Sequence, residues 1–177
     1  MTGFRQARSA PARGPLDPRR AHAVALDLLA RKPWTRRDLA RRLRRRGAPA
    51  DVAEAVVADL EARGYVDDRA FATTWAEVRA RERAVGRERL REELFARGVA
   101  RPLAEAAIDR AFTDTDELTR ARAAAVRRMA ALQGSAPAQA ARRLHDYLRR
   151  RGYPGDIVRQ VVRAVCRDAG PEEAADP

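Results

Sequence analysis

Three stretches of this chain share one spacing: Leu39-x3-Leu43-x3-Gly47, Leu90-x3-Leu94-x3-Gly98 and Leu144-x3-Leu148-x3-Gly152, with the glycines 51 and then 54 residues apart. Arg46, Arg97 and Arg151 precede the three glycines. A repeat of this length restricts the chain to a series of similar small units that share interfaces. The match continues past each glycine, at positions five, nine, ten and thirteen residues on: Val52, Val56, Val57 and Leu60, then Leu103, Ala107, Ile108 and Ala111, then Ile157, Val161, Val162 and Val165. Steps of four, one and three residues trace one face of a helix. Each glycine therefore separates two helices, the first closing with a buried leucine pair. Glycine suits that place because a helix commonly ends on a residue at positive φ. Pro49 and Pro154 then favour a fresh helix start. Chance i, i+4 matches in alanine-rich helices would not align so many positions in all three copies.

A further helix is expected upstream of each pair: about Ala21 to Arg31 with Val24, Leu28 and Leu29 on one side, about Asp68 to Ala84 with Phe71, Trp75 and Val78, and about Asp116 to Leu132 with Leu118, Val126 and Met129. Thr35-Arg36-Arg37-Asp38 has the form of a capping box, and Ser135 before Pro137 is the matching helix start in the third copy. No stretch alternates like a strand. The expected architecture is all-α: three tandem three-helix repeats forming an elongated, curved helical body. Its divisions are a basic disordered tail (1–20), repeats at 21–66, 67–113 and 114–168, and a disordered acidic tail (169–177).

Composition alone would leave even folding in question. Leu, Ile, Val and Phe number 33 of 177 residues, and the net formal charge is +12, which borders on the range of disordered chains. The repeat answers that, because the few large apolar residues fall at equivalent places. One cysteine, Cys166, excludes an internal disulfide or a cysteine zinc cluster. Asp27 breaks the best apolar stretch, Val24 to Ala30, well short of a membrane span. The basic, proline-bearing segment Met1 to Arg20 has no signal-peptide core, so a cytoplasmic protein is expected, with an organellar transit peptide as the minor alternative.

The charge is clustered. Residues 31–46 hold Arg31, Lys32, Arg36, Arg37, Arg41, Arg42, Arg44, Arg45 and Arg46 against Asp38, a balance of +8. Residues 120–151 repeat that balance, with Arg127, Arg128, Arg142, Arg143, Arg149, Arg150 and Arg151 among nine arginines set against Asp146. Between them, residues 50–68 carry −5. A GC-rich coding sequence explains 36 arginines beside a single lysine, but not this clustering. The functional reading is that the Leu39/Leu43 and Leu144/Leu148 helices turn arginine faces to a polyanion or an acidic surface, where the planar guanidinium forks phosphate or carboxylate. Base-specific reading is not expected, because the helix after the first glycine, Val52 to Leu60, is acidic outside, whereas a recognition helix presents polar or basic residues to the groove. Sequence-independent affinity that falls steeply with salt is expected instead.

No catalytic constellation stands out. His22 and His145 are too far apart for a local metal motif. His145 reads as a residue at the edge of the core, and Cys166 as a small buried apolar residue rather than a nucleophile. Gly86, Gly98 and Gly152 read as isolated helix ends rather than a phosphate loop, and Glu92 and Glu93 as a solvated pair. The chain is expected to be no enzyme and to need no cofactor or metal.

Three motifs carry a resemblance to a known family. Gly64-Tyr65-Val66-Asp67-Asp68-Arg69-Ala70-Phe71-Ala72 joins the first two repeats, Gly86-Arg87-Glu88-Arg89-Leu90 enters the second leucine pair, and Arg150-Arg151-Gly152-Tyr153 with Asp156-Ile157 lies in the third repeat. Over roughly Ala21 to Asp168 the chain resembles RecX, the bacterial regulator of the RecA recombinase. It departs at Val66, where the family often has Leu or Ile, and in the poorly matching connection Asp114 to Ala138. Physically, Gly64 ends a helix, Tyr65 and Val66 supply apolar residues that staple the turn, and Asp67 or Asp68 caps the next helix. The resemblance implies a monomeric, non-enzymatic protein that binds the RecA filament and DNA and usually limits ATP hydrolysis and strand exchange. The arginine clusters are then the candidate contacts, Arg36, Arg37, Arg41, Arg42, Arg44, Arg45 and Arg46 in one and Arg127, Arg128, Arg142, Arg143, Arg149, Arg150 and Arg151 in the other. A stand-alone architectural or transcriptional DNA-binding protein is the competing reading, and a purely structural helical scaffold a third.

Overall fold

The computed structural model describes residues 15–168. Among them lie nine helices and no strand: α1 (Pro18–Arg31), α2 (Arg36–Arg45), α3 (Ala50–Ala62), α4 (Asp68–Glu82), α5 (Arg87–Ala96), α6 (Arg101–Ala111), α7 (Glu117–Ala130), α8 (Pro137–Arg150) and α9 (Gly155–Asp168). Two compact units contain them, Met1–Asp67 with α1–α3 and Asp68–Pro177 with α4–α9. The first expected tail ends early, since Asp17 accepts the Arg20 amide at 2.8 Å as N-cap of α1 and Leu16 donates its amide to the Gly47 carbonyl at 2.9 Å. The rest of that tail, and the acidic one, lie outside the described residues.

The leucine pairs organise each triplet. All six leucines are fully buried, each contributing about 2 kcal/mol relative to an exposed one. Gly47, Gly98 and Gly152 adopt φ of 95°, 81° and 80°. In each turn the residue after the glycine, Ala48, Val99 or Tyr153, donates its amide to the carbonyl of the second leucine, at 3.1, 3.1 and 3.3 Å. All three are buried against the core. That pairing of a reversed hydrogen bond with an apolar contact is the Schellman ending of a helix. The position six residues past each glycine, Ala53, Ala104 or Val158, is also fully buried.

The first helix of each triplet differs from expectation. Its inward face is built from alanine: Ala21 and Ala25 with Leu28 in α1, Ala72, Ala76 and Ala80 in α4, Ala121, Ala124 and Ala125 in α7. Small side chains let α1, α4 and α7 lie close along α3, α6 and α9, their partners in the triplets. Val78 and Val126 consequently point outward, 36% and 55% exposed. Thr35 caps α2 as expected, accepting the Asp38 amide at 3.2 Å. Ser135 does not cap α8, because Pro137 occupies the first turn and Ala136 takes the cap position; Ser135 Oγ instead accepts from Arg143 Nη1 at 3.4 Å.

Inside the second unit, two triplets are joined through backbone. Gly86 donates its amide to the Arg151 carbonyl at 2.7 Å, and Glu88 donates to Gly152 at 3.3 Å. Gly86 and Gly152 are thus not isolated helix ends but a crossing point. A Cβ on Gly86 would stand 2.5 Å from the Gly152 carbonyl oxygen, and one on Gly152 would stand 2.3 Å from the Arg89 nitrogen. Tyr153 fills the space beneath, its hydroxyl donating to the carbonyl of Ala84 at 3.1 Å. Ala84 itself holds φ at 49°, a left-handed conformation that costs a residue with a Cβ about 1 kcal/mol or more.

Candidate functional site

Helix α2 places its leucines inward and seven arginines outward or at its ends, so the first cluster follows from amphipathic folding. Carboxylates engage part of it. Arg36 Nη1 donates to Glu61 Oε2 at 2.7 Å, and Arg41 Nη2 to Asp38 Oδ1 at 2.8 Å. Arg37 lies exposed in the first turn. Arg42, Arg44, Arg45 and Arg46 are exposed and have no carboxylate partner among the described residues. Arg44 and Arg45 close the last turn, where cations also suit the negative end of the helix. Trp34 orders the cluster's edge. Its indole nitrogen donates to the Leu28 carbonyl at 3.1 Å, while Lys32 Nζ sits 4.0 Å and Arg42 Cζ 5.8 Å from the ring centroid.

The second cluster lies along α7 and α8, with Arg127 and Arg128 in the last turn of α7, Arg142 and Arg143 midway along α8, and Arg149 and Arg150 in its last turn. Arg128 of α7 and Arg151 after α8 both face the Tyr147 ring, at 5.6 and 4.6 Å. Arg149 is partly engaged, donating to the Tyr153 carbonyl at 3.1 Å with Glu88 3.9 Å away. Arg127, Arg142, Arg143 and Arg150 are exposed on the same two helices. The first cluster belongs to one compact unit and the second to the other.

The aromatic partners of these cations had a sequence signal that charge counting passes over: Tyr147 and Arg151, like Trp75 and Arg79, are four residues apart, one helical turn. Trp75 is flanked by Arg79 at 5.4 Å and Arg97 at 3.8 Å. Its indole donates to Glu93 Oε2 at 3.0 Å, and Arg79 reaches both Glu93 oxygens. Glu93 is therefore not solvated: it is 7% exposed, because α5 turns it into the α4 contact. Burial by itself would push its carboxyl up, but the hydrogen bonds from Arg79 and Trp75 and the charges of Arg79 and Arg89 outweigh it, holding the group below the usual carboxylate range. Glu117 goes the other way. Burial pushes its carboxyl up although it accepts the Arg87 amide at 2.9 Å.

Other expected positions resolve simply. His145 is exposed rather than at the core edge, 3.5 Å from Asp146, because it follows Leu144 around the helix onto the outer face. Cys166 packs half-buried against the third core, and burial raises its thiol away from reactivity. Among the described residues no group of three His, Cys, Asp or Glu side chains gathers as a metal set, and no helix is long and apolar enough to cross a membrane.

The three triplets correspond to three family models in order: the first three-helix domain of RecX over residues 21–60, the second over 67–108 and the third over 114–162. The chain belongs to the RecX family. Regulatory protein RecX of Streptomyces coelicolor is 36% identical over 160 residues, 90% of this chain and 84% of the relative. That of Thermobifida fusca is 39% identical over 153 residues, 86% and 82% of the two chains. The fold is shared with the crystal structure of RecX from Lactobacillus salivarius, at a TM-score of 0.69 and 16% identity, over 84% of this chain and 96% of that one. RecX is thus a regulatory family and not a known enzyme family. Within this RecX chain the first basic cluster lies inside the first matched domain and the second inside the third.

Proposed function

We propose that this chain binds the RecA–DNA filament and modulates it, mainly by inhibiting RecA ATPase, strand exchange and co-protease activity. Membership of the RecX family supports the regulatory part. The observation that carries the contact is the α2 face, where Arg42, Arg44, Arg45 and Arg46 project with no carboxylate partner among the described residues. Four adjacent cations repel one another unless an anionic surface comes to meet them.

The test is the single-stranded-DNA-dependent ATPase of the cognate RecA, with the protein added at up to stoichiometric ratio. The expected result is a fall in turnover that the triple variant Arg42→Gln, Arg44→Gln, Arg45→Gln largely abolishes while melting at the same temperature. No effect of the unmodified protein would sink the reading.

A second reading, sequence-independent DNA binding without RecA, draws on Arg128 and Arg151 flanking Tyr147. Ordered guanidiniums of this kind suit backbone phosphates, whose contacts position a protein without reading sequence. It predicts equal affinity for unrelated duplexes and no change in RecA turnover.

A further inference from the structure

Val66 alone staples the turn after α3, and Tyr65, expected to share that role, stands 59% exposed between Arg63 and the acids Asp67 and Asp68. That surface is mixed in sign and singles out no partner. The third triplet has one dominant sign: residues 114–168 hold twelve arginines against six carboxylates. Most of those carboxylates are engaged away from the arginine face. Asp116 caps α7, Glu117 accepts the Arg87 amide, Asp146 lies beside His145, and Asp168 meets Arg122. Among the described residues no carboxylate pairs with Arg127, Arg128, Arg142, Arg143 or Arg150.

The sequence that follows α9 carries the opposite sign, with Glu172, Glu173 and Asp176 and no base over residues 169–177. The end of α9 shows where that segment sets out. Asp168 Oδ2 accepts from Arg122 Nη2 at 3.2 Å, which brings the last residue of α9 against α7. At the opposite ends, Gly152 just ahead of α9 and Glu117 in the first turn of α7 both lie against Gly86, whose added Cβ would stand 2.5 Å from the Gly152 carbonyl oxygen and 3.0 Å from Glu117 Oε1. The two helices therefore start together and run in the same sense, so a chain leaving Asp168 sets out beside α7 toward its last turn.

The reach is sufficient. Arg127 and Arg128 are five and six residues past Arg122, about 8–9 Å along a helix. Glu172 and Glu173 are four and five residues past Asp168, a span of up to about 13–17 Å for extended chain. Asp176 can extend to about 26 Å, and Arg151 shares the Tyr147 ring with Arg128, so the arginines that end α8 fall within range. We propose that residues 169–177 lie across the arginine-bearing ends of α7 and α8, with Glu172 and Glu173 on Arg127 and Arg128, as an internal competitor for any polyanion that binds there. Each exposed ion pair is weak and screened by salt, but so short a tether holds the carboxylates at an effective concentration on the order of millimolar. The competition rests on the reading of the arginine faces above; the contact itself does not.

The experiment compares the unmodified full chain with the variant Glu172→Gln, Glu173→Gln, Asp176→Asn, and with a control of equal charge change in the first unit, Asp27→Asn, Asp51→Asn, Glu54→Gln. It reads the rate of phenylglyoxal labelling at each arginine by peptide mass spectrometry, and the affinity for a mixed-sequence DNA duplex. At low salt the first variant is expected to label about three-fold faster at Arg127 and Arg128, with Arg44 and Arg45 unchanged, and to bind the duplex about three-fold more tightly, the scale of one or two exposed ion pairs. At about 0.5 M salt both differences should vanish. Equal labelling at Arg127 and Arg128 overturns the contact. So does a rise confined to Arg163 and Arg167, which means pairing along α9 alone, or one confined to Arg44 and Arg45, which means the other cluster. Faster labelling with unaltered duplex affinity, or a control that tightens duplex binding equally, overturns the competition. Failure of every chain to bind the duplex overturns the polyanion reading and the competition with it, while the labelling still decides the contact.

Discussion

Glu93 shows how much one side chain can organise. Its carboxylate ties Trp75 and Arg79 of α4 to α5, and both its oxygens are engaged. Replacement by Ala would strand the indole N–H and leave the Arg79 guanidinium half-buried without its partner, at a cost of roughly 2–3 kcal/mol. Chemical denaturation followed by Trp75 fluorescence measures it. The lowered carboxyl also fixes a pH response. Its contribution is complete above the unfolded value of about 4.3 and is lost as pH falls through the folded one, so the unmodified protein should lose more stability than Glu93→Gln between pH 6 and pH 3. Tyr153 gives the opposite sign. Burial, with the Glu117 charge, raises its phenol to about 12. Folding is then favoured by the protonated phenol below about pH 10 and weakened as pH climbs toward the folded value. Tyr153→Phe should flatten that alkaline loss of stability, at the expense of the Ala84 hydrogen bond, about 1 kcal/mol. None of this was legible in the sequence, because Glu93 meets Trp75 and Tyr153 meets Ala84 only after helices distant in the chain have packed.

At the scale of elements, the three glycine turns form a natural comparison. Gly47 and Gly152 both require positive φ, but a Cβ at Gly47 meets nothing within 4 Å. Gly47→Ala should therefore cost only the backbone strain, about 1–2 kcal/mol. Gly152→Ala should cost at least about 2 kcal/mol more, since the α5 backbone at Arg89 must move. Paired melting curves decide it, and equal losses would contradict the crossing of Gly86 and Gly152. The helices themselves were readable because leucine at i, i+4 followed by glycine is distinctive in any composition. The inward faces of α1, α4 and α7 were not. Their alanines are lost among 39 in the chain, so the pattern favours the larger Val78 and Val126, which packing leaves outside. The arginine clusters could be counted from the sequence, yet their engagement could not, because Arg36 finds Glu61, and Arg149 the neighbourhood of Glu88, through tertiary contact.

For the whole molecule, the +12 charge becomes a measurable exponent. If the three α2 arginines contact duplex phosphates, the log-log dependence of affinity on salt should lose up to about 2.7 units in the Arg42, Arg44, Arg45 triple Gln variant, near 0.9 for each phosphate no longer neutralised. A slope unchanged by the substitutions would remove DNA from this face. The crossing of Gly86 and Gly152 bears on the order in which the molecule is made. The first triplet closes on its own residues, so it is complete once Val66, just past α3, has emerged. The second gathers a core from its own residues too, but the amides of Gly86 and Glu88 have their acceptors at Arg151 and Gly152. Those two amides gain their partners only when the turn after α8 has been synthesised. The nascent chain thus passes through a stage in which the entry to α5 lacks the two backbone acceptors that the last triplet brings.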